Sequence, residues 1–334
     1  MASFYQHTDP ATWTGRYDGD TPDQLRWHQV MQCVNLQEHS LPAIGKHHQG
    51  VAFIGFCSDE GVRRNHGRTG AAKGPRQLRE ACRNLPLIGS HIILADAGDI
   101  VCADGDLETA QSMLGELVKK VKAANYLPVV LGGGHETSWG SFLGVAPTKK
   151  KAEVGVINFD AHFDLRSVEE AVGATSGTGM WQVHQWCQHQ KMPFHYLAIG
   201  IQQYANTKRL FTTADDMGAR YFLAEQFTND QLEDMVIAIN AVLANSDVVQ
   251  LSIDLDVFAA SHAPAVSAPA FNGIAPNSMF KRLLRHIVLS GKVSVIDVAE
   301  LNPQYDQDER TARLAAAIIF DIVQAADMNA EYPG

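Results

Sequence analysis

The sequence has no paired cysteines. Its five, Cys33, Cys57, Cys82, Cys102 and Cys187, are scattered, odd in number and form no Cys-x-x-Cys. This excludes a disulfide framework and suits reduced, mostly buried thiols in a cytoplasmic protein. Long apolar runs are also missing. No stretch approaches 18 residues, so no segment is expected to span a membrane. There is no basic excess. The formal charge is -10 over 334 residues, which argues against nucleic acid and anionic membranes as partners but leaves a local basic pocket open. The N-terminal MASFYQHTDPATWTGRYDGD lacks the basic-then-apolar layout of a signal peptide. No Pro/Ser-rich linker, low-complexity tract or internal repeat divides the chain. With 46% hydrophobic and 19% charged residues, the composition is that of a globular protein.

What is present is a series of short runs rich in Val, Ile and Leu. They are VAFIGF (51–56), IILADAG (92–98), YLPVVLGG (126–133), VGVINF (154–159), HYLAIGI (195–201), DVVQLSIDL (247–255) and KVSVIDVAEL (292–301). None alternates cleanly, as expected of strands covered on both faces. Segments with helical periodicity lie at 107–124, 228–244, 276–290 and 308–324. Pro276 suits a first helical position and Asp308 an N-cap. Strand and helix in alternation predict an α/β fold with a parallel sheet. One domain is expected over 51–334, with residues 1–50 as a polar lead-in that packs on it.

In open α/β sheets, ligands bind at the carboxyl ends of the strands. Four runs end there in unusual polar groups. One leads into His135 and Glu136, one into Asp160, His162 and Asp164, one into Asp254 and Asp256, and one into Glu300. Extended residues at i, i+2 and i+4 point to one side, so Asp160, His162 and Asp164 are expected to converge, as are Asp254 and Asp256. Each cluster alone has an ordinary reading: a solvated strand end, a pair of turn residues, a capping histidine after a glycine turn. Together they carry more weight. Buried carboxylates at this density repel and protonate unless a cation neutralises them. Four aspartates and two imidazoles suit two divalent ions sharing carboxylates, and so oxygen-rich a set favours a hard ion such as Mn2+. Two ions about 3.5–4 Å apart can share and activate one hydroxide.

These residues resemble the signatures of the ureohydrolase family of arginases, agmatinases and formimidoylglutamases. Gly-Gly-x-His stands as GGGH (132–135), Asp-Ala-His-x-Asp as DAHFD (160–164), Ser-x-Asp-x-Asp as SIDLD (252–256), and Glu-x-Asn-Pro as Glu300 to Pro303. The resemblance implies a single-domain, three-layer α/β/α arginase-like fold around a mostly parallel eight-stranded sheet. It also implies two Mn2+ per subunit. His135, Asp160, Asp164 and Asp254 would hold one ion, and His162, Asp160, Asp254 and Asp256 the other, with Asp160 and Asp254 bridging. The family chemistry is hydrolysis of a C–N bond in a guanidinium or amidinium group. By the same resemblance, Asp164 would move a proton to the leaving nitrogen, and Glu300 would hold the planar cation by charge-assisted contacts.

Two departures narrow the choice within the family. Arginase-like members carry a shuttle histidine in Ser-Gly-Asn-Leu-His, where this chain has Ser176-Gly177-Thr178-Gly179-Met180. That stretch is more similar to the SGTP of formimidoylglutamases, and so is FAASHAPAVSAP (258–269), which replaces the usual Asp-Pro. Charge argues the same way. N-formimidoyl-L-glutamate carries two carboxylates, and bidentate arginine contacts suit them. Arg166 stands two residues beyond Asp164, while Arg63, Arg64, Asn65 and Arg68 lie in DEGVRRNHGRTGAAKGP (59–75) after the first strand run. Each arginine is otherwise a surface charge or a structural ion pair. Gly74-Pro75 reads as a helix-starting turn. His66, His184 and His262 are the loose histidines, of which one at most would replace the missing shuttle. The expected activity is hydrolysis of N-formimidoyl-L-glutamate, a small-molecule substrate, to L-glutamate and formamide, late in histidine breakdown. The enzyme alternatives are a ureohydrolase for an acidic guanidino compound such as guanidinobutyrate, or an arginase or agmatinase. The alternative of another class is a metal-binding regulator that kept the fold. Assembly into a homo-oligomer stays open.

Overall fold

The computed structural model describes residues 4–149 and 151–331; the last three residues of the expected 51–334 domain fall outside them. Its strands are β1 (Tyr5–Gln6), β2 (Gln32–Cys33), β3 (Gln49–Cys57), β4 (Ile92–Val101), β5 (Tyr126–Leu131), β6 (Val154–Phe159), β7 (Phe194–Ile201), β8 (Arg220–Leu223), β9 (Val248–Asp254) and β10 (Val293–Ala299). They form one sheet in the order β1-β4-β3-β5-β10-β9-β6-β7-β8, with β2 also paired to β4. From β3 to β10 every pairing is parallel. The expected eight-stranded parallel sheet is therefore present. The sheet gains two further strands of two residues each, both from the lead-in, and β1 runs antiparallel to β4.

Side-chain alternation sends neighbouring strand residues into opposite layers. Phe53, Val129, Ile157 and Leu251 pack with the helices Gly74–Cys82, Leu232–Ala244, Ser278–Leu289 and Arg310–Glu331. Ala52, Ile54 and Val130 pack with the helix Leu107–Ala123, while Val154 and Val156 pack with Gly179–Gln190. The result is a three-layer α/β/α fold. The lead-in is anchored by Trp27, fully buried and stacked on Phe53 and Phe320, and by Trp13, whose indole N–H donates to Asp96 at 2.7 Å.

Two helix starts differ from expectation. Pro276 precedes the cap rather than opening the helix, because Asn277 Oδ1 accepts from the Met279 and Phe280 amides. Asp308 is no cap. It sits at φ +57, and Asp306 instead accepts from the Thr311 and Ala312 amides. Gly74-Pro75 does start a helix, with Pro in its first turn. All five cysteines are free thiols, and burial pushes Cys33 and Cys187 up to about 12. Among the described residues no helix is long and apolar enough to cross a membrane.

Candidate metal centre

β5, β10, β9 and β6 are consecutive in the sheet. Because they run parallel, their carboxyl ends share one edge. His135 follows β5, Glu300 follows β10, Asp254 ends β9, and Asp160 follows β6. The glycines before His135 allow close approach: a Cβ on Gly133 would lie 1.8 Å from the Ser58 carbonyl oxygen.

The clusters converge, though not by extended geometry. β6 stops at Phe159, and Asp164 adopts φ +52. Asn158 Nδ2 donates to Asp160 Oδ2 at 3.0 Å, Tyr196 Oη donates to the Phe163 carbonyl at 2.9 Å, and Asn206 Oδ1 accepts from the Phe163 amide at 3.1 Å. These contacts fold the DAHFD loop back over the strand ends. Likewise Leu255–Val257 is a 3-10 turn that brings Asp256 round beside Asp254. Glu300 is also left-handed, at φ +76. Non-glycine strain of this kind persists where surrounding structure over-determines it, often at functional sites.

His135 Nδ1 lies 3.1 Å from Asp160 Oδ2, 2.7 Å from Asp164 Oδ2 and 3.2 Å from Asp254 Oδ2. His162 Nδ1 lies 3.0 Å from Asp256 Oδ2 and 3.5 Å from Asp160 Oδ1. Asp160 therefore turns one oxygen to each group. Asp254 faces the first group with Oδ2, and its Oδ1 accepts from the Asp256 amide at 2.7 Å. All four aspartates and His135 are buried, and His162 is partly exposed at the cleft.

Sequence reasoning gave no role to the support behind His135. Its Nε2 is 2.8 Å from Ser252 Oγ, and Ser252 in turn donates to Asp297 Oδ1 at 2.5 Å. Gln250 Nε2 donates to the other Asp297 oxygen at 2.7 Å. With the Ser252 proton committed to Asp297, Ser252 Oγ is left to accept from His135 Nε2–H. The free lone pair of the imidazole is then Nδ1, aimed at the aspartates. Polar residues at 250, 252 and 297 inside two apolar strand runs were the available signal.

The electrostatics fit a cation pair. Desolvation, with neighbouring carboxylates, pushes Asp164 up to about 6, Asp254 well above the usual carboxylate range, and Asp256 upward. Burial opposes ionisation of Asp160 too, but contacts to His135 and His162 outweigh it and hold Asp160 below its ordinary value. Desolvation works against charge on both imidazoles, yet the facing aspartates raise them well above an ordinary histidine. Without metal, protons stand where positive charge is needed. His135 Nδ1 and Asp164 Oδ2 are both buried and face each other at 2.7 Å with no other hydrogen-bond partner, as expected of ligand atoms turned towards one ion. Among the described residues, two groups could hold an ion: His135, Asp160 and Asp164, and Asp160, His162 and Asp256.

Asp164, Asp254, Asp256 and Glu300 open on a cleft of about 290 Å³ whose wall includes Asn65, His66, Arg166 and Ser176. Glu300 accepts from the His135 amide at 2.8 Å and the Ser267 amide at 3.2 Å, and burial, with the nearby Glu136 and Asp256 carboxylates, pushes it up to about 7. Asn65 Nδ2 donates to Ser176 Oγ at 3.1 Å. Arg63, Arg64 and Arg68 do not line this cleft. Arg63 is exposed and paired with Glu60. Arg64 is held by Glu60 at 2.9 Å and Glu108 at 2.6 Å. Arg68 donates to the Pro264 and Val266 carbonyls and lies over the Tyr305 ring. All three therefore have protein partners and stand off this cleft. Met180 is fully buried against Phe142, Phe163 and Val183 and brings nothing to the cleft. Of the loose histidines, His66 is on the cleft wall, His184 packs on Phe194, and His262 sits in a turn made by Ala259.

A model of the arginase family matches residues 49–324. The formimidoylglutamase of Chromobacterium violaceum is 44% identical over 315 residues, covering 94% of this chain and 97% of that one. A solved structure of Trypanosoma cruzi formiminoglutamase with Mn2+ superposes with a TM-score of 0.71 at 26% identity, covering 84% of this chain and 94% of that one. The formimidoylglutamase of Bacillus subtilis superposes at 0.78 with 19% identity, over 94% and 96% of the two chains, a likeness of fold.

Proposed function

We propose a function from one premise: the chain belongs to the arginase family. It is a formimidoylglutamase, a hydrolase that cleaves the formimidoyl C–N bond of N-formimidoyl-L-glutamate to give L-glutamate and formamide. Histidine breakdown in the cytoplasm is the setting we assign, with residues 51–334 as the catalytic unit and 1–50 as its packed lead-in.

Two Mn2+ per chain suit the six ligands, His135, Asp160, His162, Asp164, Asp254 and Asp256. When bound, such a pair supplies a water of lowered pKa and polarises the substrate. The remaining work falls to the protein. Glu300, fixed by two amide donors, would accept hydrogen bonds from the amidinium and hold it over the metals. Asp164, on the cleft wall, turns Oδ2 to the ligand cluster and keeps its other oxygen, Oδ1, to carry a proton to the leaving nitrogen. Asp297 and Ser252 keep His135 in one tautomer. Arg166, on the wall with no protein partner among the described residues, is available for a substrate carboxylate.

That free guanidinium beside a complete ligand set is the observation that carries the substrate choice. A panel measures it. With Mn2+, kcat/KM for N-formimidoyl-L-glutamate is expected to exceed that for agmatine, arginine and guanidinobutyrate by about 100-fold or more. Comparable urea release from guanidinobutyrate would favour the acidic-guanidine alternative and overturn this one.

A further inference from the structure

Beside the metal cleft lies a second cavity of about 330 Å³. The two share Asn65, His66, Arg166 and Leu210 as wall residues, so Arg166 stands between them. On the outer side is a second arginine, Arg209. Among the described residues neither guanidinium has a hydrogen-bond or ion-pair partner in the protein. The other charged groups on this wall are Arg64, already neutralised by Glu60 and Glu108, and one carboxylate, Glu169. The helix Lys208–Asp216 also points its N-terminus here, and its cap residue Thr207 makes no side-chain capping bond. Positive charge therefore dominates a pocket that continues from the reacting centre.

Arg166 is held in place. Its amide donates to the Gly177 carbonyl at 3.0 Å, and a Cβ on Gly177 would come within 3.1 Å of Arg166 Cδ. The side chain thus lies across Gly177 towards the shared wall. Exposed arginines are commonly plain surface charges; two unpaired ones in one cavity, with a single carboxylate opposite, are not explained that way.

Resting on the formimidoylglutamase reading, we infer that Arg166 and Arg209 are two seats for the two carboxylates of the substrate. The α-carboxylate is one carbon from the reacting nitrogen and takes the inner seat at Arg166. The side-chain carboxylate extends into the outer cavity and takes Arg209. Specificity for glutamate over glutamine derivatives then resides in Arg209.

The test uses Mn2+-loaded wild type, Arg209→Met and Arg166→Met with two substrates, N-formimidoyl-L-glutamate and N-formimidoyl-L-glutamine. Arg209→Met is expected to lower kcat/KM for the glutamate substrate about 10- to 100-fold, mainly through KM, and to leave the glutamine substrate nearly unchanged. Arg166→Met is expected to weaken both. Equal losses on the two substrates, or none, with metal content and circular dichroism intact, would overturn the Arg209 seat. No turnover of either substrate by the wild type would instead overturn the functional reading on which the seat depends.

Discussion

Ser252 touches no substrate, but it decides which imidazole nitrogen of His135 is free. Its hydroxyl sits between His135 Nε2 and Asp297. Ser252→Ala leaves Nε2–H without its acceptor and Asp297 Oδ1 without its donor, Gln250 still serving the other oxygen, so His135 loses its fixed orientation. The expected result is a Mn2+ affinity about 10- to 100-fold lower for the ion held by His135, with a smaller change for the ion beside His162. Calorimetric titration of the metal-free protein resolves the two steps. Unchanged affinities would mean that the aspartates alone orient the ring. At this scale the sequence was legible where a motif marks a position. The six proposed ligands and Glu300 stand in three short motifs and one strand end, and all converge. The partners of the arginines of 59–75 were not legible, because sequence shows a charge but not the group that meets it. Arg64 meets Glu108 across 44 residues of chain.

At the scale of elements, the lead-in and the first βα unit meet at one buried arginine paired with two aspartates. Arg79, on the helix Gly74–Cys82, contacts Asp96 at 2.7 Å and Asp99 at 2.6 Å. Asp96 also accepts from Thr8 at 2.8 Å and from Trp13 at 2.7 Å. Arg79 is essentially buried, so removing it strands carboxylates in the interior. Arg79→Met should destabilise the fold by about 3–5 kcal/mol, read as a lower denaturation midpoint, and Asp96→Asn in the same chain should recover part of the loss. A loss below about 1 kcal/mol would mean the other donors suffice for Asp96. The strands at this scale were largely readable, because parallel strands buried on both faces are plain apolar runs. β8 was not, since Arg220–Leu223 is four residues with a basic start. β1 and β2 were not either, as two residues carry no period. The loop geometry of the metal clusters was also hidden. Left-handed Asp164 and Glu300 are held by contacts distant in sequence, and no local preference announces them.

The whole molecule gathers four carboxylates and two imidazoles at one edge of one sheet, and its stability should register that. In the metal-free chain His135 and His162 lie above the ordinary histidine value, and Asp164, Asp254 and Asp256 above the ordinary aspartate value. Both kinds of shift favour the protonated folded state. Their stabilisation is full below the unfolded-state values and is lost as pH rises through the folded ones. Metal ions replace those protons, so the gain in Tm on adding Mn2+ should be larger near pH ~8 than near pH ~6. Thermal melts with and without Mn2+ at the two pH values check this. A gain that is flat or falls with pH would mean the cluster is not relieved by metal.

The central claim joins this centre to one reaction: the His135 and His162 groups, which meet at Asp160, would hold two ions that make the chain a formimidoylglutamase. The most direct measurement is formamide release from N-formimidoyl-L-glutamate while Mn2+ is titrated into the metal-free protein, with bound metal counted in parallel. The account predicts that formamide appears with L-glutamate in equal amounts and reaches its full rate as the second ion binds. Asp160→Ala should bind neither ion tightly and release no formamide. Two tightly bound ions with no formamide, or full activity with Asp160 replaced, would contradict it.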